Sequence, residues 1–193
     1  FNKITKGGLP RKSMTVLLAT TGGGKSLIKC HMAANHLMYG KNVLYITMEM
    51  AEEEIGRRID ANIMDITLDE VNEIPRDVYD KRIARYKSKT TGKLVIKEFP
   101  TGSVHSGHFR HLLNELRMKK GFEPDVIYLD YLNICASSRV RGAAAANSYT
   151  LVKSIAEEVR GLAMEYNCAV VTSSQFNRDG YGNSDVDLTN TSE

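Results

Sequence analysis

A glycine-rich segment near the start of the chain carries residue types that bind phosphate. In the sequence ATTGGGKS, over residues 19–26, three consecutive glycines precede Lys25 and Ser26. Glycines let the backbone point its N–H groups at a polyphosphate without a Cβ in the way. A lysine at this spacing contacts the β and γ phosphates, and a serine hydroxyl there is suited to Mg²⁺. The segment matches a Walker A pattern with alanine at the first glycine position, and it predicts a site for ATP and Mg²⁺. The residues predicted to bind the nucleotide are Ala19, Thr20, Thr21, Gly22, Gly23, Gly24, Lys25 and Ser26.

The alternative interpretation of this segment is a glycine-rich turn that binds nothing. Three consecutive glycines lose much backbone entropy on folding and give no packing in return. They also stand at the spacing from Lys-Ser that phosphate binding requires, between a predicted strand and a predicted helix. Phosphate binding is therefore the favoured interpretation.

Three polar side chains stand at the carboxyl ends of predicted strands, where α/β sheets bind ligands. Asp130 ends the apolar run VIYLD and is predicted to bind Mg²⁺ through the water shell of the ion. Glu49, within YITMEM, is predicted to orient the attacking water and to accept its proton. Gln175 follows the run AVVTS and is predicted to donate a hydrogen bond to the γ-phosphate.

Glu49 is also supported by its expected position. The helix after the first strand should return the chain to an adjacent parallel strand, which would put Glu49 beside the phosphate loop. The alternative role is capping of the next helix, although the acidic run of residues 52–54 already serves there. A catalytic role for Glu49 is therefore favoured.

The elements that position these side chains follow from apolar patterning. Short apolar runs predict buried strands, and apolar residues at helical spacing predict helices between them. Strands are predicted at residues 15–19, 43–48, 94–99, 126–130 and 169–173, helices at residues 26–39, 51–64, 108–120 and 149–166, and a basic amphipathic stretch at residues 77–89. This alternation predicts an α/β fold with a mainly parallel, twisted sheet and helices on both faces.

Composition is typical of a globular domain. The chain has 193 residues, 42% of them hydrophobic, with a formal net charge of +3 that is too small to indicate nucleic-acid binding by itself. A single domain over residues 1–193 is expected from this length. No apolar run approaches the roughly 20 residues of a membrane helix, so no membrane partner and a cytoplasmic location are expected. The start at Phe1 and the polar end at Glu193 predict a fragment of a longer protein.

Cysteine and histidine spacing gives little support for a resident metal site. Cys30, Cys135 and Cys168 are far apart and have apolar neighbours, which predicts reduced thiols rather than a disulfide framework. Three histidines at positions 105, 108 and 111 could share a helix face. Structural zinc needs four ligands and no other candidate is near, so an ordinary helix surface is favoured.

Several of these segments together resemble one known family. They are FNKITKGGL at residues 1–9, the phosphate loop, YITMEM continuing to Arg58 and Asp60, Asp130-Tyr131, Ser148-Tyr149, SQFNR at 174–178, and the terminal Asp187-Leu188 and Ser192-Glu193. In this order they resemble the RecA-like motor domain of hexameric DnaB-type replicative DNA helicases, most closely those of T-even-like bacteriophages.

The resemblance implies an ATP-driven ring that encircles single-stranded DNA and unwinds duplex in the 5′ to 3′ direction. It implies nucleotide and Mg²⁺ binding by Lys25 and Ser26, a catalytic base at Glu49, a Walker B acid at Asp130 and a γ-phosphate sensor at Gln175. It also implies a homohexamer with an arginine finger from a neighbouring subunit, outside this chain. Primase and a helicase loader are implied partners, in host cytoplasm for a phage protein.

Two loops are implied to line the DNA channel of such a ring. Arg139 and Arg141 lie in the first, at residues 134–146, and Arg178 lies in the second, at residues 176–193. Basic side chains there would bind phosphates without reading sequence. The alternative is that each is an ordinary solvated loop charge.

Other functions share parts of this pattern. A recombinase-like or clock-type RecA ATPase has the same fold and most of the motifs. A nucleotide-gated interaction module would need no turnover, but Glu49 and Asp130 are both present. A small-molecule kinase would also use the phosphate loop, but no arginine-rich lid segment is evident.

Overall fold

The computed structural model of the chain describes residues 3, 5–140 and 148–175. Five strands are β1 (Ser13–Ala19), β2 (Val43–Thr47), β3 (Leu94–Glu98), β4 (Val126–Asp130) and β5 (Ala169–Gln175). Six helices are α1 (Lys25–Met38), α2 (Glu52–Met64), α3 (Leu68–Glu73), α4 (Arg76–Lys87), α5 (Ser106–Lys120) and α6 (Ser148–Glu165). A single 3₁₀ turn, Leu132–Ile134, follows β4.

The strands form one sheet in the order β1-β5-β4-β2-β3, and every pair of neighbours is parallel. All residues of β2 and β4 are buried, as expected for continuous apolar runs in the middle of a parallel sheet. The predicted fold class is therefore confirmed. One expectation was wrong: β2 does not adjoin β1, because β5 and β4 lie between them.

Helices cover both faces of the sheet because successive strand residues point to opposite sides. On one face, Leu44 and Ile46 of β2 pack in a core with residues of α5 and α6. On the other face, Val43 and Tyr45 pack in a second core with residues of α1 and α2. Each face of β2 thus has its own hydrophobic layer.

A short helix, α3, was not predicted from the apolar pattern. It begins after Thr67, whose hydroxyl accepts a hydrogen bond from the N–H of Glu70, while the carboxylate of Glu70 accepts one from the N–H of Thr67. This reciprocal capping satisfies two backbone donors at the start of a helix with only six residues. Val71 anchors it to a small cluster with Ala61 and Met64 of α2.

None of the helices within the described residues is long and apolar enough to span a membrane.

Candidate nucleotide site

The phosphate loop connects β1 to α1 and has a conformation that requires glycine. Gly22 and Gly24 have φ angles of 74° and 77°, in the left-handed region that side chains disfavour. A Cβ on Gly23 would lie 3.0 Å from the carbonyl oxygen of Thr20, which accepts a hydrogen bond from the N–H of Gly23. The loop therefore turns tightly and keeps its inner surface free of side chains at these three positions.

The start of α1 is suited to an anion. Gly24 is its N-cap and provides no side chain to accept from the first amides, and the first turn contains no acidic residue. The partial positive charge of this helix end is therefore directed at the loop. Ser26, half-buried, is the second residue of the helix.

Lys25 folds its side chain back over the phosphate loop. Its Nζ donates to the carbonyl oxygens of Thr20 at 2.9 Å and Ala19 at 3.4 Å. These are neutral acceptors, and phosphate oxygens make stronger, charge-assisted bonds with an ammonium group. Lys25 is thus held close to the space that a polyphosphate would fill.

The three predicted strand-end residues lie at the edge of the sheet formed by the carboxyl ends of its strands, each at a different strand. Gln175 is directly opposite Ala19 in the pairing of β5 with β1, so it adjoins the first residue of the loop. Asp130 ends β4, opposite Thr47 of β2. Glu49 is exposed and follows the end of β2 by two residues. Two strands, β5 and β4, therefore separate β1 from β2, the strand that Glu49 follows.

A buried lysine occupies the centre of this edge. Lys29 lies one helical turn after Lys25, and its side chain is 0% exposed. Its ammonium forms an ion pair with Asp130, whose side chain is 1% exposed, and donates to Ser173 Oγ at 2.8 Å. The phenol of Tyr45 donates to the second carboxylate oxygen of Asp130 at 3.0 Å.

Burial and the neighbouring charges act in opposite directions on the pKa of Lys29. Burial lowers the pKa of Lys29, whereas the charge of Asp130 and, to a smaller extent, that of Glu49 raise it. Burial raises the pKa of Tyr45, and the neighbouring Asp130 raises it further, so the phenol stays protonated and acts as a donor. The carboxylate of Asp130 is thus held by one cation and one neutral hydroxyl.

The sequence contains a signal for the buried position of Lys29, which was not predicted above. On α1, Lys29 is four residues before Ala33 and eight before Leu37, and all three are buried on the same face. A lysine in line with core residues is almost never buried unless it is paired. The pattern therefore called for an acidic partner, and Asp130 is that partner.

The donors present fit Mg²⁺ held mainly by a nucleotide. Within the described ranges, no group of three or more His, Cys, Asp or Glu could bind a metal alone. Mg²⁺ commonly keeps several waters and uses one or two protein oxygens with substrate phosphates. Asp130 accepts from Lys29 and Tyr45 and retains lone pairs for metal-bound water, since a carboxylate has about four acceptor sites.

Comparison with known proteins decides the family. The model of the DnaB-like helicase C-terminal domain family matches residues 1–187. The chain belongs to this family. It is 45% identical over 196 aligned residues to the DnaB-like replicative helicase of Enterobacteria phage T4, covering 100% of this chain and 41% of that protein. A probable plasmid replicative DNA helicase of Chlamydia psittaci is 28% identical over 176 residues, covering 88% of this chain and 36% of the relative. The chain thus spans about two fifths of these curated relatives.

Two solved structures share the fold of this chain. The ATPase domain of G40P superposes with a TM-score of 0.72 at 16% identity, covering 98% of this chain and 66% of that one. A DnaB-like replicative helicase described with its primase interactions superposes with a TM-score of 0.69 at 16% identity, covering 95% and 44%. At this identity the two structures support the RecA-like fold alone.

Among the predicted DNA-binding residues of this DnaB-like domain, only Arg139 lies within the described residues; Arg141 and Arg178 lie outside them. The guanidinium of Arg139 pairs with Glu157 at 3.0 Å and with Glu158 at 3.6 Å. It also donates to the carbonyl oxygen of Ser154 at 3.1 Å. The side chain is 53% exposed, so it is attached to α6 while part of it remains accessible.

Glu158 fixes the segment that leads to Arg139. Its carboxylate accepts from the hydroxyls of Ser137 and Ser138, each at 2.6 Å, and from Ser106 Oγ at 2.5 Å. Burial would raise the pKa of Glu158, but the hydrogen bonds from Ser106, Ser137 and Ser138 outweigh it and lower the pKa to about 2. We call Glu158 and its serine donors the serine clamp. The serine clamp was not predicted from sequence, since its members are distant in the chain.

Two of the histidines cap a helix, and the three cysteines are buried. His105 Nδ1 accepts from the N–H of Gly107 at 3.0 Å, and His108 Nδ1 accepts from the N–H of His105 at 3.3 Å, so the pair caps α5. The cysteines at positions 30, 135 and 168 are free thiols, all buried, as predicted.

Proposed function

We propose that this DnaB-like domain is the motor of a replicative DNA helicase. It hydrolyses ATP, translocates on single-stranded DNA in the 5′ to 3′ direction and unwinds duplex. The proposal rests above all on the phosphate loop, where left-handed glycines, the open start of α1 and Lys25 converge beside Gln175. The 45% identity to the phage T4 replicative helicase supports the same activity.

Nucleotide binding exchanges contacts that already exist. The ammonium of Lys25 leaves the carbonyl oxygens of Thr20 and Ala19 and donates to β- and γ-phosphate oxygens. The N–H groups of the loop and of the first turn of α1 donate to the same phosphates. Mg²⁺, when bound, neutralises phosphate charge; Ser26 and Asp130 would hold it, Asp130 through water.

Glu49 is the proposed base. A water oxygen attacks the γ-phosphorus while the bond from that phosphorus to the β–γ bridging oxygen breaks, and the electron pair stays on ADP. The carboxylate of Glu49 orients the water and accepts its proton. Its exposed position beyond β2 is consistent with a base that acts once a nucleotide and a neighbouring subunit cover the site.

Gln175 is the proposed sensor of the γ-phosphate. Its backbone is fixed beside Ala19 by the pairing of β5 with β1, so its amide can donate to a phosphate seated in the loop. Loss of that phosphate on hydrolysis removes the acceptor. The chain that follows Gln175 contains Arg178, one of the proposed DNA contacts, so the change passes directly toward DNA.

The proposed assembly is a homohexameric ring around single-stranded DNA, with Arg139, Arg141 and Arg178 contacting phosphates. Primase and a helicase loader are proposed partners, and host cytoplasm is the proposed location. One solved DnaB-like helicase is described with primase interactions, which supports the first of these partners.

Two variants test the assignment of roles. Lys25→Ala should abolish nucleotide binding, whereas Glu49→Gln should retain binding and stop DNA-stimulated ATP turnover. Binding is measured by fluorescence anisotropy of a labelled ATP analogue, and turnover by phosphate release, on full-length protein whose mass in solution is determined in parallel. Equal loss of binding in both variants would contradict separate roles for the two residues.

A further inference from the structure

Lys29 lies beside Asp130, the acid that is proposed to hold Mg²⁺ through water, and offsets its negative charge. It is fully buried, paired with the proposed Walker B acid, and one turn from the lysine of the phosphate loop. Residues four apart on a helix lie about 5–6 Å from each other at their Cβ atoms. The ion pair of Lys29 with Asp130, which has no net charge, therefore lies one helical turn from Lys25.

We propose that Lys29 is a positioning residue that permanently neutralises Asp130 and thereby makes nucleotide binding by this domain only weakly dependent on Mg²⁺. This inference rests on the proposed function, since it concerns the same nucleotide site.

The contacts of Lys29 fix its ammonium in place. One donor meets Asp130, another meets Ser173 Oγ at 2.8 Å, and the aliphatic chain is enclosed with the rest of the side chain at 0% exposure. Because Ser173 lies on β5, two residues before Gln175, the lysine connects α1, β4 and the strand of the proposed sensor. Rotation of the ammonium away from Asp130 would leave the carboxylate buried with Tyr45 as its remaining named donor.

The consequence for Mg²⁺ is electrostatic. An unpaired buried carboxylate attracts Mg²⁺ and repels a nucleotide that lacks it, because charge interactions strengthen in a low-dielectric interior. With Lys29 beside it, Asp130 offers metal-bound water a hydrogen-bond acceptor with little net attraction for the ion. The same neutral pair does not repel the polyphosphate when Mg²⁺ is absent.

The measured quantity is the ratio of the dissociation constant of a fluorescent non-hydrolysable ATP analogue in EDTA to that in saturating Mg²⁺. The wild-type chain should give a ratio below about ten. Lys29→Met, which leaves one net negative charge, should raise the ratio about fivefold or more. Asp130→Asn, which leaves one net positive charge, should lower it below the wild-type value.

A combined variant separates charge from packing. Lys29→Met with Asp130→Asn removes both charges, and replacing a buried pair by neutral groups is commonly tolerated where breaking it is not. Its ratio should return to within about twofold of wild type. Lys29→Arg keeps the charge and should also resemble wild type. Urea unfolding of each variant shows whether it is folded. If Lys29→Met is unfolded, the ratios of Asp130→Asn and of the combined variant still test the inference.

The inference is overturned if Lys29→Met leaves the ratio within twofold of wild type or lowers it, or if the combined variant and Asp130→Asn change it alike. Lys25→Ala serves as the control for the site itself. If wild type binds the analogue and Lys25→Ala does not, the nucleotide site is supported, and a negative result for the Lys29 variants overturns only the inference about Lys29. If wild type binds in neither EDTA nor Mg²⁺, the proposed function fails as well.

Discussion

The carboxylate of Glu158 on α6 accepts a hydrogen bond from the backbone N–H of Ser138 at 3.0 Å, joining that helix to the segment that leaves the Walker B strand. The neighbouring Arg139 pairs with the same carboxylate at 3.6 Å. The beginning of a proposed DNA-binding loop is therefore attached to the body of the domain.

Glu158→Gln should destabilise the domain by about 2 kcal/mol, because it removes charge-assisted hydrogen bonds from a side chain that is 6% exposed. Urea unfolding at pH 7 measures the change. Glu157→Gln is the matched control, since Glu157 is 54% exposed and its one ion pair within the described residues is with Arg139, and it should cost about 0.5 kcal/mol or less. Equal losses in the two variants would contradict the serine clamp.

The serine clamp should also make stability depend on pH in acid. The pKa of Glu158 is about 2 in the folded chain against an ordinary value of 4.5, so its ionised form is favoured by folding. Its contribution is complete above pH 4.5 and is lost as the pH falls toward 2. Unfolding free energies from pH 6 to about pH 2.5 should fall more steeply for wild type than for Glu158→Gln. Parallel curves would show that Glu158 is not the titrating group.

Arg139→Ala should weaken binding of single-stranded DNA and reduce the salt slope by about 0.7 log unit per log unit of salt, the value for one phosphate contact on a single strand. Arg76→Ala is the control, because Arg76 on α4 is 87% exposed and pairs only with Asp80 among the ion pairs of the described residues. Titrations of full-length protein at several salt concentrations measure both slopes. An unchanged salt slope for Arg139→Ala would contradict a DNA contact by Arg139 and would indicate that the residue only contacts α6.

Gly23→Ala should weaken nucleotide binding about tenfold, because the new Cβ would stand 3.0 Å from the carbonyl oxygen of Thr20. Crowding of this kind costs about 1–3 kcal/mol, which corresponds to about fivefold to 150-fold in Kd. Gly161→Ala is the control: Gly161 lies in α6 with open space around it, so the alanine should stabilise the helix by up to about 1 kcal/mol and leave Kd unchanged. Binding of the labelled analogue and urea unfolding measure the two effects.

Much of the fold was predictable from sequence because its signals are local. The apolar runs of β2 and β4 and the glycine-rich loop each depend on neighbouring residues, and the structure has them close to the predicted bounds. Strand order was not predictable in the same way. The crossover through α1 shows only that β2 is parallel to β1, and the insertion of β5 and β4 between them depends on residues more than 80 positions away. The prediction that the strand before Glu49 adjoins β1 was wrong for this reason.

Within the candidate site, the residues of the loop could be found from their types, but their partners could not. Lys29 lies on the buried face of α1, yet the identity of its acid depends on how β4 is placed against that helix. The serine clamp likewise joins Ser106, Ser137 and Glu158 only after α5 and α6 have packed on one face. Local capping contacts such as that of Thr67 with Glu70 could have been predicted from sequence, since they follow a known spacing.

The position of β5 has a consequence for biosynthesis. This strand is the last of the five to leave the ribosome, yet it is the partner that joins β1 to the rest of the sheet. Until residues 169–175 emerge, β1, which leads into the glycine loop, lacks the one strand that pairs with it among the described residues. We therefore expect ATP capture to follow synthesis of this part of the polypeptide, and we expect a product terminated before residue 169 to carry the Walker A motif without a working pocket.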